Sequence, residues 1–176
     1  MVPERSTFQI ELGKAGWLRV FGDEHVIAVT EYECKVQLDP AAPAGAKVEL
    51  VIPSRALKVR DPHLTAEARL QVQEKMEGPE VLDVAHFREI RFVLQRVTTG
   101  EGGLYRVQGD LTIRSSPRPV AFDVRLTPEG EGYRVRGVAS VKMTQFGIEP
   151  PSAGGGGVRV RDEMKIVLDL LLAAKD

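Results

Sequence analysis

Alternation of apolar and polar residues with a period of two runs through most of the chain, and this pattern limits the fold more than any other feature. The longest example is EHVIAVTEYECKVQLD, where one face carries Val26, Ala28, Thr30, Tyr32, Cys34, Val36 and Leu38. Such alternation predicts a β-strand with one buried face and one face in water. A strand of this length favours a barrel or a strongly bent sheet over a flat sandwich.

The same alternation recurs in shorter runs along the rest of the chain. Turn sequences such as TTGEGG, SSPRP and TPEGEG separate these runs, which indicates hairpins between antiparallel neighbours. A sheet of about eight such strands must curl or close to cover its apolar face and its edges. We therefore predict an all-β fold with one short helix, a single antiparallel up-and-down barrel over residues 1–176. A sandwich of two sheets is the alternative.

The stretch KVRDPHLTAEARLQVQEKMEGPEVL interrupts the strand pattern. Thr65 is a suitable N-cap, and Ala68, Val72 and Met76 lie four residues apart, on one stripe of a helix. The Gly-Pro pair that follows is a typical stop signal. The pattern predicts a helix over 65–77 that lays its apolar face over one end of the barrel.

Composition and charge exclude several classes of function. The net charge is −1 and the basic residues are scattered, so nothing favours nucleic acid or an anionic membrane surface. The one cysteine, Cys34, rules out an internal disulfide and is interpreted as a small buried hydrophobe. We find no signal peptide and no apolar run of about 18 residues. The predicted location is cytoplasmic, or periplasmic if a leader has been removed.

The sequence contains no recognisable catalytic or metal-binding motif. His25, His63 and His86 match no common zinc spacing, and patterns for a nucleophilic serine, a phosphate loop or a zinc protease are missing. Asp61 and its neighbour Arg60 are interpreted as a polar junction between a strand and the helix. We therefore expect a protein that is not an enzyme, with no metal and no cofactor.

Several segments together resemble the YceI-like family. They are LVIPSRALKVRDPHLT, KMEGPEVLDVAHFREIRFVLQRV, YRVQGDLTIRSSPRPVAFDVRL, KMTQFGIEPP and the closing VRVRDEMKI, and they cover the chain from about Phe8 to Ala173. Two positions depart from the family pattern. Asp23 replaces the first histidine of a paired motif that retains only His25, and Ser115 stands where glycine is usual.

This resemblance implies a lipocalin-like barrel that carries a long apolar molecule: a polyisoprenoid, an isoprenoid quinone or a fatty-acyl chain. It also leaves a homodimer open, since family members often pair. Met143 and Phe146 are expected to gate the strand ends, and Gly137 and Ala139 to leave room for the ligand. The candidate binding residues inside the barrel are Ala28, Thr30, Tyr32, Val72, Met76, Phe92, Leu94, Val107, Leu111, Phe122, Val124, Gly137, Ala139, Met143 and Phe146.

A second hypothesis remains at this point. The barrel interior could be filled by its own side chains, and the protein would then be an interaction or stress-related module without a small ligand. It would contact a partner through an edge strand or through the glycine loop at 154–157. A continuous cavity, as opposed to interlocked side chains, distinguishes the two hypotheses.

Overall fold

The structure is a computed structural model that describes residues 5–15, 25–39, 42–153 and 158–173. The glycine loop at 154–157 therefore lies outside the described residues. Within the described ranges there are eleven strands and one α-helix, α1 (Ala66–Glu77). The strands are β1 (Thr7–Ala15), β2 (His25–Val29), β3 (Glu33–Gln37), β4 (Lys47–Pro53), β5 (Leu57–Val59), β6 (Glu89–Thr99), β7 (Leu104–Ile113), β8 (Ser116–Glu129), β9 (Gly132–Lys142), β10 (Ser152–Ala153) and β11 (Val158–Ala173).

The strands form one antiparallel sheet that closes on itself. Its order is β3, β4, β6, β7, β8, β9, β11, β1, β2 and β5, with β10 added beside β11. The chain runs directly from β2 into β3, and from β4 into β5 through a 3-10 turn at Ser54–Ala56. These continuous segments join the two ends of the sheet order. Counting each interrupted strand once, the described residues form an eight-stranded up-and-down barrel, which confirms the predicted fold class.

The long strand predicted from residue 26 to residue 38 is broken at residues 30–32. At the break, the backbone N–H and the hydroxyl of Thr30 both donate to the carbonyl of Ala56, each at 2.9 Å. The irregular segment changes which positions face inward. Before it Ile27 and Val29 are buried, whereas after it the inward positions begin at Cys34. The prediction that Ala28 and Thr30 face inward is therefore wrong, because the alternation does not continue through the break.

The predicted helix is confirmed and covers one end of the barrel. The Thr65 side chain accepts a hydrogen bond from the backbone N–H of Ala68 at 3.2 Å, and the helix stops at Gly78. Of the predicted stripe, Met76 is buried and faces the interior, while Val72 is half-buried against the core.

One glutamine fastens this helix to the sheet. The Gln73 amide accepts from the backbone N–H of Val59 and donates to the carbonyl of Leu57, each at 2.9 Å. These two backbone groups lie on the edge of β5 that faces away from β2, since β5 bonds to β2 through the intervening positions. The side chain thus takes the place of a neighbouring strand and satisfies an edge that would otherwise be open.

The same end of the barrel is closed further by the segment that follows β9. Met143, Phe146 and Ile148 are 3%, 2% and 2% exposed, and they pack in one core cluster with Met76. The expectation that Met143 and Phe146 gate an opening is wrong, because both belong to this closed floor.

Candidate functional site

The barrel encloses an apolar cavity of about 270 Å³. Strands β1 to β9 and β11 each contribute at least one side chain to its wall, and α1 contributes Met76. The strand alternation explains the arrangement, since successive residues of a strand point to opposite faces of the sheet. In β8, for example, Val120, Phe122, Val124 and Leu126 line the cavity.

Most of the candidate residues lie in this wall, although their contact with a ligand stays a prediction. Those that line the cavity are Met76, Phe92, Leu94, Val107, Leu111, Phe122, Val124, Ala139 and Met143.

The other candidates lie elsewhere, for separate reasons. Ala28 and Thr30 do not line the cavity, because the alternation that placed them inward does not continue through the strand break. The Tyr32 ring packs edge-on against Phe8 with centroids 5.3 Å apart, instead of lining the cavity. Val72 and Phe146 pack in or against the core without reaching the cavity surface.

Gly137 does not provide space for a ligand. A Cβ atom at this position would lie 2.8 Å from the Asp123 carbonyl oxygen and 2.8 Å from Cγ1 of Val124. The missing side chain therefore allows β8 and β9 to approach closely. Ala139, two residues further, is the small residue that does border the cavity.

Much of the wall was not among the candidates. The strand alternation marks Ile10, Leu12, Ile166 and Leu168 as inward-facing, so their signal was present in the sequence. Ile27 was hidden by the break, which moved it to the face opposite the one predicted. Val81 and Leu82 also line the cavity, from an irregular segment with no periodic pattern to reveal them.

The cavity is closed at the helix end and open at the opposite end. Wall residues near the helix are almost fully buried, as Met143 and Ile148 show. At the far end Val36 is 37% exposed, and Val97 and Tyr105 are only half-buried. The hairpins between β6 and β7 and between β8 and β9 surround this mouth. The helix is consequently the floor of the cavity.

Among the residues that the structure describes, none that lines the cavity carries a charged side chain. Cys34 and Tyr105 are among the residues that line it, but the surface that they present to the cavity is apolar. Burial raises the pKa of the Cys34 thiol. Burial, with a smaller contribution from Cys34, also raises the pKa of the nearby Tyr32 to about 12. The thiol of Cys34 and the hydroxyl of Tyr32 are therefore uncharged near pH 7.

The polar junction predicted around Asp61 is present at the closed end. Asp61 is 1% exposed; one carboxylate oxygen lies 2.7 Å from Nδ1 of His25, and the other accepts from the backbone N–H of His63 at 3.0 Å. Asp61 does not line the cavity. Across the described ranges, no cluster of three or more His, Cys, Asp or Glu is placed to hold a metal ion. Nor does any helix there have the length and apolarity to cross a membrane.

Two solved structures share this architecture. The crystal structure of Burkholderia cenocepacia BcnA superposes with a TM-score of 0.78 at 19% identity, covering 98% of this chain and 99% of that one. A Campylobacter jejuni YCEI protein superposes with a TM-score of 0.66 at 10% identity, covering 85% of both chains. At these identities the similarity shows the fold alone.

Sequence comparison extends the relationship. A UPF0312 protein of Pseudomonas savastanoi pv. phaseolicola is 24% identical over 131 residues, which is 69% of this chain and 62% of the relative. The aligned part thus spans less than two thirds of the curated relative's length. The family model of the YceI-like domain matches residues 2–172, which is nearly the whole chain. The protein belongs to the YceI-like family.

Proposed function

We propose that the protein is a non-catalytic carrier that holds the apolar chain of a lipid in its barrel, with a polyisoprenoid, an isoprenoid quinone or a fatty-acyl chain as the ligand. The observation that carries the proposal is the uncharged cavity of about 270 Å³ with one open end. Removing apolar surface from water contributes roughly 25 cal/mol per Å². A slender chain gains this energy along its whole length and needs no charged partner there.

The size of the cavity supports a narrow ligand. Pockets for small molecules usually begin at about 300 Å³, so this one is near the lower limit. We expect a short chain to be enclosed completely and a longer one to extend through the mouth. A barrel interior filled by its own side chains, as the second hypothesis requires, is disfavoured by the presence of the cavity. Homodimer formation and the cytoplasmic location stay predictions.

The proposal is tested with one substitution inside the barrel and the same substitution outside. Ala139 is 5% exposed and borders the cavity, whereas Ala121 is exposed on the outer face of β8. Native mass spectrometry and organic extraction of the purified protein detect a bound apolar molecule. We expect Ala139→Leu to lose most of that ligand, because the larger side chain occupies its space, and Ala121→Leu to retain it.

Two results would contradict the proposal. The first is that no apolar molecule co-purifies and none of the prenyl or acyl compounds added later shifts the melting temperature. The second is that Ala139→Leu binds as well as Ala121→Leu while both variants remain folded by circular dichroism.

A further inference from the structure

Gly109 forms a recess in the wall of the cavity. It lies in the middle of β7 between Val107 and Leu111, which both line the cavity, so a side chain at this position would point inward. A Cβ atom here would lie 2.5 Å from Cζ and 2.6 Å from Cε2 of Phe92. The tip of the Phe92 ring therefore occupies the space that a side chain of residue 109 would fill.

The Phe92 ring crosses from its own strand onto β7. Phe92 lies in β6 opposite Leu111, and its ring extends to the next inward position of β7, that of Gly109. Phe122, from β8 on the other side of β7, has its ring centroid 6.0 Å from that of Phe92, with the two planes tilted by 57°. Rings from two strands that do not pair with each other thus meet across β7, because the residue between them has no side chain.

Building on the proposed function, we infer that Phe92 and Gly109 set the width of the cavity, and that Phe92 is the residue that excludes wide, rigid ligands. While its tip lies in the recess, the ring is held along the wall. A side chain at residue 109 would drive the ring toward the centre of the barrel, because a close-packed interior has no other space for it. A leucine at residue 92 has no atoms equivalent to Cζ and Cε2, so it would leave the recess empty and the cavity wider.

The width matters because the cavity is small, about 270 Å³. A flexible chain follows a narrow space by rotation about its single bonds, whereas a fused ring system keeps its full width. An opened recess should therefore favour a ring system more than an open chain.

The first experiment compares two isomeric alcohols by calorimetric titration: farnesol, an open chain, and cedrol, a rigid fused tricycle. We expect the wild-type protein to bind farnesol at least about tenfold more tightly than cedrol. Phe92→Leu should bind cedrol at least about fivefold more tightly than the wild-type protein does. Phe87→Leu is the matched control, because Phe87 packs against Arg114 outside the cavity, and it should bind both alcohols as the wild type does.

The second experiment tests the contact itself with a double-mutant cycle. Gly109→Ala should bind farnesol at least about tenfold more weakly, since the displaced ring narrows the cavity. Adding Phe92→Leu to that variant should restore most of the affinity, because leucine does not reach residue 109. The new Cβ atom would also lie 2.5 Å from the carbonyl oxygen of Val93, but that strain is common to both variants that carry alanine, so the cycle isolates the effect of the ring.

The outcomes separate the failure of this inference from the failure of the proposed function. If neither alcohol binds the wild-type protein or Phe92→Leu, the proposed carrier function is overturned for this ligand class, and the inference with it. If farnesol binds but Phe92→Leu gains no affinity for cedrol, the inference alone is overturned. Additive losses in the cycle would also overturn it, and if Gly109→Ala does not fold, the cedrol comparison decides by itself.

Discussion

At the scale of single residues, the turn between β7 and β8 holds two residues with side chains in a left-handed conformation. Ile113 pairs with Ser116, so the turn consists of Arg114 and Ser115, whose φ angles are +50° and +59°. Two positive φ angles define the mirror-image turn that normally contains Asn-Gly. Arg114 gains from stacking its guanidinium 5.6 Å from the centre of the Phe87 ring. Ser115 bears the strain of a left-handed conformation.

We predict that Ser115→Gly stabilises the fold. Glycine adopts the left-handed conformation without strain, but it also gives the unfolded chain more conformational entropy. The net effect should be a rise of about 0.5–1 kcal/mol in the free energy of unfolding. Urea denaturation measures this difference. Ser116→Gly is the matched control, because Ser116 already lies in β8 without a positive φ and should lose stability. A loss of stability in Ser115→Gly would contradict the explanation.

At the scale of secondary-structure elements, α1 is attached more by hydrogen bonds than by a broad apolar face. Its residue Leu70 is 65% exposed, and Met76 is its buried residue. The Gln73 amide, in contrast, makes two bonds to the backbone of β5 and a third, at 2.7 Å, to the carboxylate of Glu77. The short β5 strand therefore depends on one helical side chain for its second edge.

Replacing that side chain should cost stability. We expect Gln73→Leu to lower the free energy of unfolding by about 1–3 kcal/mol, because a backbone N–H and a carbonyl lose their partners. Gln71→Leu, on the exposed side of the same helix, should change it by less than about 0.5 kcal/mol. Chemical denaturation of both variants gives the comparison. Equal effects would mean that the edge groups of β5 are satisfied without Gln73.

A second inter-element contact lies outside the barrel and joins β8, β9 and β11. The buried guanidinium of Arg134 donates to Glu129 at 2.9 Å through Nη2 and to Asp169 at 2.6 Å through Nη1. Hydrogen bonding to Arg134 is the main reason that the pKa of both carboxyls is lowered from their ordinary values of 4.5 and 3.8. Arg5 and Arg136 add further contacts to the same carboxylates.

These lowered pKa values predict how stability depends on pH. A carboxyl whose pKa is lower in the folded state stabilises the fold above its unfolded pKa, and this contribution is lost as the pH falls through the folded pKa. The wild-type protein should therefore lose stability from about pH 5 downward. We expect Arg134→Gln to be less stable near pH 7 and to show a shallower decline toward acid. The control is Arg106→Gln, which removes an ion pair with Asp123 in which both side chains are 50% exposed. This variant should keep the wild-type dependence of stability on pH.

At the scale of the whole molecule, the sequence was a good guide wherever one periodic pattern ran without interruption. Period-two alternation from β6 to β9 was sufficient to predict the barrel and most of the inward-facing side chains of these four strands. The prediction failed at Ala28 and Thr30, because the strand is interrupted at residues 30–32 and the inward positions change there. The interruption is not visible in the sequence, since the alternation is regular on both sides of it. Gly137 was misinterpreted for another reason: a missing side chain looks the same in a sequence whether it makes room for a ligand or for a neighbouring strand.

A cavity in a stable barrel also predicts a measurable linkage. A ligand that binds only the folded protein raises the free energy of unfolding by about 2.7 kcal/mol at one hundred times its Kd. For a chain of this size we expect the melting temperature to rise by about 5–10 °C with farnesol at that concentration. The rise should be much smaller in Ala139→Leu and unchanged in Ala121→Leu, as differential scanning calorimetry would show. A similar rise in all three proteins would place the bound molecule outside the cavity.

The pairing of β1 with β11 has a consequence for how the chain folds. Thr7 lies opposite Asp169, so these two paired strands are separated by about 160 residues of sequence. Closing so long a loop is entropically costly, and contacts between distant residues slow folding. During synthesis, β9 and β1 each have one unpaired strand edge until residues 158–173 have left the ribosome. The pairing of β11 with both neighbours therefore turns an open, aggregation-prone sheet into a closed barrel, and the synthesis of β11 sets the earliest moment at which the cavity can form.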